Sequence, residues 1–331
     1  MRTVDFHAHF FGPGYLRGLA GLSPLPGSAD ERLAAVAARA GIEAPTDVAA
    51  HARRWIAELD RHGVEHAALF ASLPGEADDV ALAAQVGAGR FSPVALLDPR
   101  AEGAPARVRA LAARDFRGVL AFPALHHYDP SGPEARAAWE ALSESHGIAY
   151  VHCGLLVVRL RDLFGLPRTQ DLRFADPLAL IPAANAFPRV RFVIPHFGAG
   201  LFRETLLAAA QCENVYVDSS SSNSWRAADP SVRSLAEVFE RALGVLGPRR
   251  VLFGTDSGTF PAGWRAERRE EQLAALASIG APREDVERIF AGNARELLAL
   301  GRAEGQGIRG AGAAPDAEPA GGGQNAGARA R

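Results

Sequence analysis

Lysine is missing from all 331 positions, and the 36 strong bases are all arginine. No side-chain Schiff base can therefore form, and no carboxylated lysine can bridge two metal ions. Cysteine occurs only as Cys153 and Cys212, too few and too far apart for a disulfide scaffold or a paired-cysteine metal motif. No apolar run reaches membrane-spanning length. No basic run or basic-aromatic interleave suggests nucleic acid, and the net charge is -2 with a pI near 6.6. The first expected strand begins within a few residues of Met1, leaving no room for a signal peptide, so a cytoplasmic location is expected.

What the chain does have is hydrophobic content, 48%, enough for one large α/β domain. Near its start stands Asp5-Phe6-His7-Ala8-His9-Phe10, read as the end of a first strand. Strand alternation puts Asp5, His7 and His9 on one face and Phe6, Ala8 and Phe10 on the other. Two imidazoles on one face can converge on one ion of the zinc type, or form a hydrogen-bonded core pair.

Short apolar runs follow at 66–71, 92–97, 118–122, 148–152, 190–196, 215–218 and 250–256. Helical periodicity separates them at 47–61, 78–88, 105–114, 133–146, 176–187, 201–211 and 231–246, with closing helices at 267–279 and 283–300. Eight strands alternating with helices predict a (β/α)8 TIM barrel. An open doubly wound sheet is disfavoured by the missing Gly-rich turn after the first strand. The barrel domain is expected to span 1–302. Residues 11–46 form an insertion after the first strand, with a helix near 29–39, expected to cover the mouth. The Gly- and Ala-rich segment 303–331 is expected to be a disordered tail.

In such a barrel the chemistry sits where strands end. His7 and His9 end the first strand, His152 the fifth, His196 the sixth and Asp256 the eighth. A scatter of histidines unrelated to function would not favour strand ends. His51, His62, His66 and His146 are expected at the surface or in caps. His126 and His127 follow the fourth strand, where substrate contact and ordinary loop placement are both open. Cys153 should point away from its neighbour His152, into packing.

The His7-Ala8-His9 motif, His152, His196 with Gly198 and Gly200, and Gly254-Thr255-Asp256 together resemble the amidohydrolase superfamily. The resemblance is nearest to the branch that contains aminocarboxymuconate semialdehyde decarboxylase, and it covers roughly residues 2–300. It implies that His7, His9, His152 and Asp256 bind one divalent metal, with zinc first and manganese or iron as alternatives. It places His196 beside the activated water, with His196 and Asp256 as the catalytic pair. Arg117–Pro123 lacks the lysine or glutamate that two-metal relatives use on the fourth strand, which favours a single ion. The segment Ser219–Trp225 is also reminiscent of this branch, and dimerisation is an expectation of the same kind.

Water on such an ion can attack an amide, ester or lactone carbonyl, so hydrolysis of a small molecule is the leading expectation. Decarboxylation of an aromatic or muconate-like acid is the alternative, and a non-catalytic binding protein the third reading. A substrate carboxylate would need a cation. Arg159, Arg161, Arg168 and Arg173 follow the fifth strand and Arg203 the sixth; of these Arg168, Arg173 and Arg203 are carried as substrate contacts, with His126, His127 and Trp225. Phe10 and Phe197 are further pocket candidates. Neither a membrane nor a nucleic acid is expected as a partner.

Overall fold

The strands are β1 Thr3–His9, β2 Val64–Ala71, β3 Phe91–Leu96, β4 Gly118–Ala121, β5 Ile148–Val151, β6 Arg191–Ile194, β7 Val215–Asp218 and β8 Val251–Leu252. They come from a computed structural model that describes residues 1–220 and 225–300. All neighbours pair in parallel, in sequence order β1 to β8. β8 is short. The circle closes through backbone hydrogen bonds beyond it: Phe6 N to Phe253 O (2.8 Å), Asp256 N to His7 O (2.9 Å) and His9 N to Ser257 O (2.8 Å). This is the expected (β/α)8 barrel.

Alternation along the strands divides the core in two. Ala68 and Phe70, Val94 and Leu96, Leu120 and Phe122, and Ile148 and Tyr150 fill the barrel interior. Their alternates, among them Leu69, Ala95, Val119 and Val151, face the helices. Helix starts follow capping chemistry. Ser28 and Glu31 form a reciprocal capping box for Ala29–Ala40, and Asp47 accepts from Ala50 N (2.6 Å) to open Val48–Arg61.

The closing region departs from the expected single helix. A helix at Arg283–Glu287 passes into a π-helical turn at Arg288–Gly292 and then a last helix at Asn293–Leu297. The widened turn sets Ala291, Ala294 and Leu298 against the interior cluster beside Val4 and Leu252, sealing the end where the strands begin. The excursion after β1 carries two helices, Pro13–Leu22 and Ala29–Ala40. Its Tyr15, Leu16, Leu19 and Val36 make a satellite core with Phe164, Leu160 and Leu163 from the loop after β5. Two excursions from the strand-terminal end thus pack on each other. Among the described residues no helix is long and apolar enough to cross a membrane. The expected tail at 303–331 lies outside the described residues.

Candidate metal centre

β1 breaks its own alternation. Val4 and Phe6 belong to the interior, yet Ala8 and Phe10 belong to the outer core. The pairing with β2 shifts register between Asp5 and Ala8, so Phe6 and His7 both face inward. A bulge of this kind leaves a carbonyl without its ladder partner. Here the Phe6 carbonyl accepts from the Tyr150 hydroxyl inside the barrel (2.6 Å). The expectation that Asp5 shares a face with His7 and His9 is therefore corrected. Asp5 lies on the helix side, fully buried, accepting from His7 N (3.0 Å), Thr255 N (3.2 Å), Thr255 Oγ1 (2.5 Å) and Trp264 Nε1 (2.7 Å). It clamps β1 to the segment after β8 that carries Asp256. Burial pushes its carboxyl up to about 6 against those hydrogen bonds.

On the inner face the Nε2 atoms of His7 and His9 stand 3.3 Å apart. Asp256 Oδ1 is 3.2 Å from His9 Nε2 and 3.7 Å from His7 Nε2. The three side chains meet the spacing of a metal-binding group. Each imidazole is held from behind. His7 Nδ1 lies 2.8 Å from Asp218 Oδ2, and His9 Nδ1 lies 2.7 Å from Ser72 Oγ. An acceptor on Nδ1 keeps the proton there and leaves the Nε2 lone pair to face the centre. Burial raises the Asp256 carboxyl, but the His9 contact and the neighbouring histidine charges outweigh it and hold it well below the usual range. Gly254 leaves the room for this convergence, because a Cβ there would sit 2.8 Å from His7 Cβ and 2.9 Å from Ser220 Cβ.

His196 follows β6 in a run of left-handed backbone. His196 (φ 57°), Phe197 (51°) and Ala199 (44°) all adopt it, as does Asp256 (58°). Such strain in non-glycine residues is kept where surrounding contacts enforce it. Asp218 is the enforcing group. Its Oδ1 accepts from His196 N (3.1 Å), Ser220 N (2.9 Å) and the Ser220 hydroxyl. His196 Nδ1 lies 2.7 Å from the Ser220 carbonyl, and its Nε2 has no hydrogen-bond partner among the described residues. Burial draws the imidazole below its ordinary value. His7, His196 and Asp218 also meet metal-group spacing. The carboxylate of Asp218 is already saturated by His7, His196 and Ser220, so this second group reads as a hydrogen-bond network.

Asp218 and Ser72 hold the histidines of the candidate centre, and sequence reasoning missed both. Asp218 carried the same signal as the others, a carboxylate closing an apolar strand. Ser72 carried none, since it acts through a contact 63 positions away.

His152 ends β5 beside His196, with ring centroids 5.2 Å apart, and is 5% exposed. Its Nδ1 is buried and has no hydrogen-bond partner among the described residues. Burial first, and then the charges of His196 and His7, pull it down to about 3, so it is a neutral lone-pair donor. A buried nitrogen without a partner is costly. A ligand on that nitrogen would remove the cost, but the side chains that meet at metal spacing are His7, His9 and Asp256, without His152; that three-residue donor set fits a divalent metal with nitrogen and oxygen ligands.

The other expected site residues are dispersed. His126 is half-buried at the end of Pro123–His126, its Nδ1 also buried without a partner. His127 is exposed, contacts the Thr169 carbonyl and stacks on Phe174. Arg168, Arg173 and Arg203 are exposed and paired with their neighbours Asp162, Asp171 and Glu204. Trp225 is buried beside Phe202, while Phe10 and Phe197 pack into the outer core. The rest of the Ser219–Trp225 motif, 221–224, lies outside the described residues. His51 and His66 are not surface residues as expected. Both are buried and hydrogen-bonded, His51 to the Phe10 carbonyl (3.0 Å) and His66 to Gly89 O (2.9 Å) and Ser92 Oγ (2.8 Å). Cys153 is buried in the outer core, and burial pushes its thiol up.

Several solved structures share this architecture. The 5-carboxyvanillate decarboxylase of Sphingomonas paucimobilis is 15% identical with a TM-score of 0.61, over 90% of this chain and 99% of that one. A 2,6-dihydroxybenzoate decarboxylase complexed with 2,6-dihydroxybenzoate is 18% identical with a TM-score of 0.61, over 91% and 100%. A probable 2-pyrone-4,6-dicarboxylic acid hydrolase of Acinetobacter baumannii, with citric acid bound, is 14% identical with a TM-score of 0.59, over 91% and 100%. At these identities the likeness is one of fold. No curated protein matches the sequence. The family model described as Amidohydrolase matches residues 4–300, from β1 through the last helix and with every strand-end residue inside it, and so the chain belongs to the amidohydrolase family.

Proposed function

We propose that this amidohydrolase-family enzyme is a hydrolase of small, carboxylate-bearing substrates. One divalent ion, zinc by its donor set, would be held by His7, His9, His152 and Asp256. The observation that carries this reading is the approach of two Nε2 atoms and one carboxylate oxygen within 3.2–3.7 Å, with both rings fixed from behind.

When bound, the ion supplies Lewis acidity: it polarises a carbonyl and lowers the pKa of a water. Asp256, kept ionised by the surrounding histidines, can take the first proton from the attacking water. His196 is neutral and its Nε2 has no partner among the described residues, so it can accept that proton and return it to the leaving group. Asp218 keeps His7 and the His196 backbone in register throughout.

Decarboxylation is the second reading, favoured by the two decarboxylases among the structural neighbours. There His196 would deliver a proton to carbon as carbon dioxide departs. A screen of lactones, esters and amides against hydroxybenzoates and muconate-like acids, with carbon dioxide detection, separates the two. Turnover of an acyl substrate without carbon dioxide supports hydrolysis; carbon dioxide release with inert acyl substrates overturns it.

A further inference from the structure

We propose that Glu76 is a positioning residue for the metal centre: it holds Ser72, and through Ser72 the candidate ligand His9. The proposal rests on the preceding section only in taking His9 as a ligand.

Glu76 ends the short turn Pro74–Glu76 between β2 and the helix Ala77–Gly87. Its side chain is completely buried. Oε2 accepts from Ser72 N (2.6 Å), and Oε1 accepts from Gly12 N (3.1 Å). Among the described residues no cation pairs with it. Burial pushes its carboxyl up to about 8 against these hydrogen bonds, and the like charge of Asp79 adds to the rise. A carboxylate buried without a counter-ion is costly, and an apolar side chain would serve packing better. What the carboxylate provides is two acceptor oxygens on one rigid end, where an amide offers one.

Both donors flank His9. Ser72 places its Oγ 2.7 Å from His9 Nδ1, so the bond from Ser72 N to Glu76 fixes the residue whose side chain fixes the ring. Gly12 lies just beyond His9, and between them Phe11 stacks on the His9 ring (4.8 Å, 13°). Phe11 is left-handed (φ 43°), a conformation that its surroundings must enforce. A Cβ at Gly12 would lie 2.7 Å from the Phe10 ring and 3.0 Å from Asp79 Oδ2, so glycine permits this approach. One carboxylate thus sets two contacts of His9, one at its Nδ1 edge and one on its face.

The same excursion has a second latch, Gly14 N to Asp79 Oδ2 (2.6 Å). Among the described residues no hydrogen bond joins Asp79 to Ser72 or His9. If Glu76 merely anchored the excursion, Asp79 would share its effect on the metal centre. A positioning role acting through Ser72 belongs to Glu76 alone.

The test is zinc affinity of the full chain, measured by chelator competition, in Ser72→Ala, Glu76→Gln, their double variant and Asp79→Asn. Glu76→Gln keeps the size and loses one acceptor oxygen, and should weaken zinc binding about tenfold. In the Ser72→Ala background the same exchange should cost about threefold or less, because the main path to His9 is already cut. Asp79→Asn should keep wild-type affinity. The 15N resonance of His9 Nδ1 in the metal-free full chain is the second readout. Glu76→Gln should move it toward its position in Ser72→Ala, and Asp79→Asn should leave it in place. Glu76→Asp keeps the charge but shortens the arm, and it should reproduce both effects if the amide variant does not fold. Equal losses of affinity with and without the Ser72 hydroxyl overturn the proposal. So does an unmoved His9 resonance, or an Asp79→Asn effect as large as that of Glu76→Gln. A wild type that holds no zinc yet shows the Glu76-dependent His9 resonance leaves the positioning role standing and sinks the metal reading instead.

Discussion

Where the strands begin, Ala291, Ala294 and Leu298 lie against Val4 and Leu252, and Asn293 ties the closing helix to the carbonyls of Pro248 (2.6 Å) and Val251 (2.7 Å). Where the strands end, four histidines and two aspartates crowd together. The backbone turns left-handed at His196, Phe197, Ala199 and Asp256, and His152, His126 and Arg161 each keep a buried nitrogen without a partner among the described residues. The first end is mostly apolar, although Thr3 Oγ1 and Asn293 Oδ1 are buried there without a partner among the described residues and Ala299 is left-handed. The second concentrates strain and unmet hydrogen-bonding capacity around ionisable groups, which a fold tolerates where function requires it. Stability and chemistry should therefore separate when each end is perturbed alone.

The largest expected effect is on turnover. His196→Ala should lower kcat by about a hundred- to ten-thousand-fold while metal stoichiometry holds. His196→Asn keeps a hydrogen-bond donor but cannot cycle a proton, so loss of activity there identifies a proton carrier. Loss of metal in His196→Ala would show that the residue is a ligand and would blur the division between ligand and proton carrier. At the sealed end, Leu298→Ala should cost about 2–5 kcal/mol in denaturant unfolding, as truncations of fully buried leucines do, with metal affinity unchanged. A matching loss of metal affinity would mean that the two ends are coupled.

A smaller effect sharpens the comparison within the mouth. Asp218→Asn keeps the shape but weakens the support of His7 and His196. Metal affinity should fall about ten- to a hundredfold, measured by chelator competition. An unchanged affinity would show that the bulged strand alone fixes His7.

The barrel, and most of the mouth, could be read from the sequence because both rest on local regularities. Apolar runs alternating with helical periods define the eight strands, and His152, His196 and Asp256 fall where those runs stop. What could not be read depends on contacts between distant segments. The phase change in β1 is stabilised by Tyr150, 144 positions away, so simple alternation put Asp5 on the wrong face. The burial of His51 and His66 is set by the Phe10 carbonyl and by Gly89 and Ser92, which no helical or strand period reveals. Composition likewise made every arginine equivalent. Only the structure shows that Arg168 is paired and Arg161 is not.

His66 gives the mildest test, at the start of β2. Burial first, then the charges of Arg90, Arg117 and Arg295, pull its imidazole down to about 4 from an ordinary value near 6.5. Between those values the unfolded chain binds more protons than the folded one, so this contribution to stability is present above pH 6.5 and is lost as pH falls toward 4. Replacing His66→Gln should flatten that part of the stability-against-pH curve, followed by urea unfolding. An identical slope in the variant would show that His66 is accessible to protons in the fold.

The central claim is that the mouth holds one divalent ion on His7, His9, His152 and Asp256. Its most direct test is a crystal structure of the metal-loaded chain with anomalous diffraction, alongside elemental analysis. The account expects one ion per chain, touching those four side chains, with His196 and Asp218 outside its ligand set. Two ions, an ion on the His7–His196–Asp218 side, or a chain that retains no stoichiometric metal would contradict it.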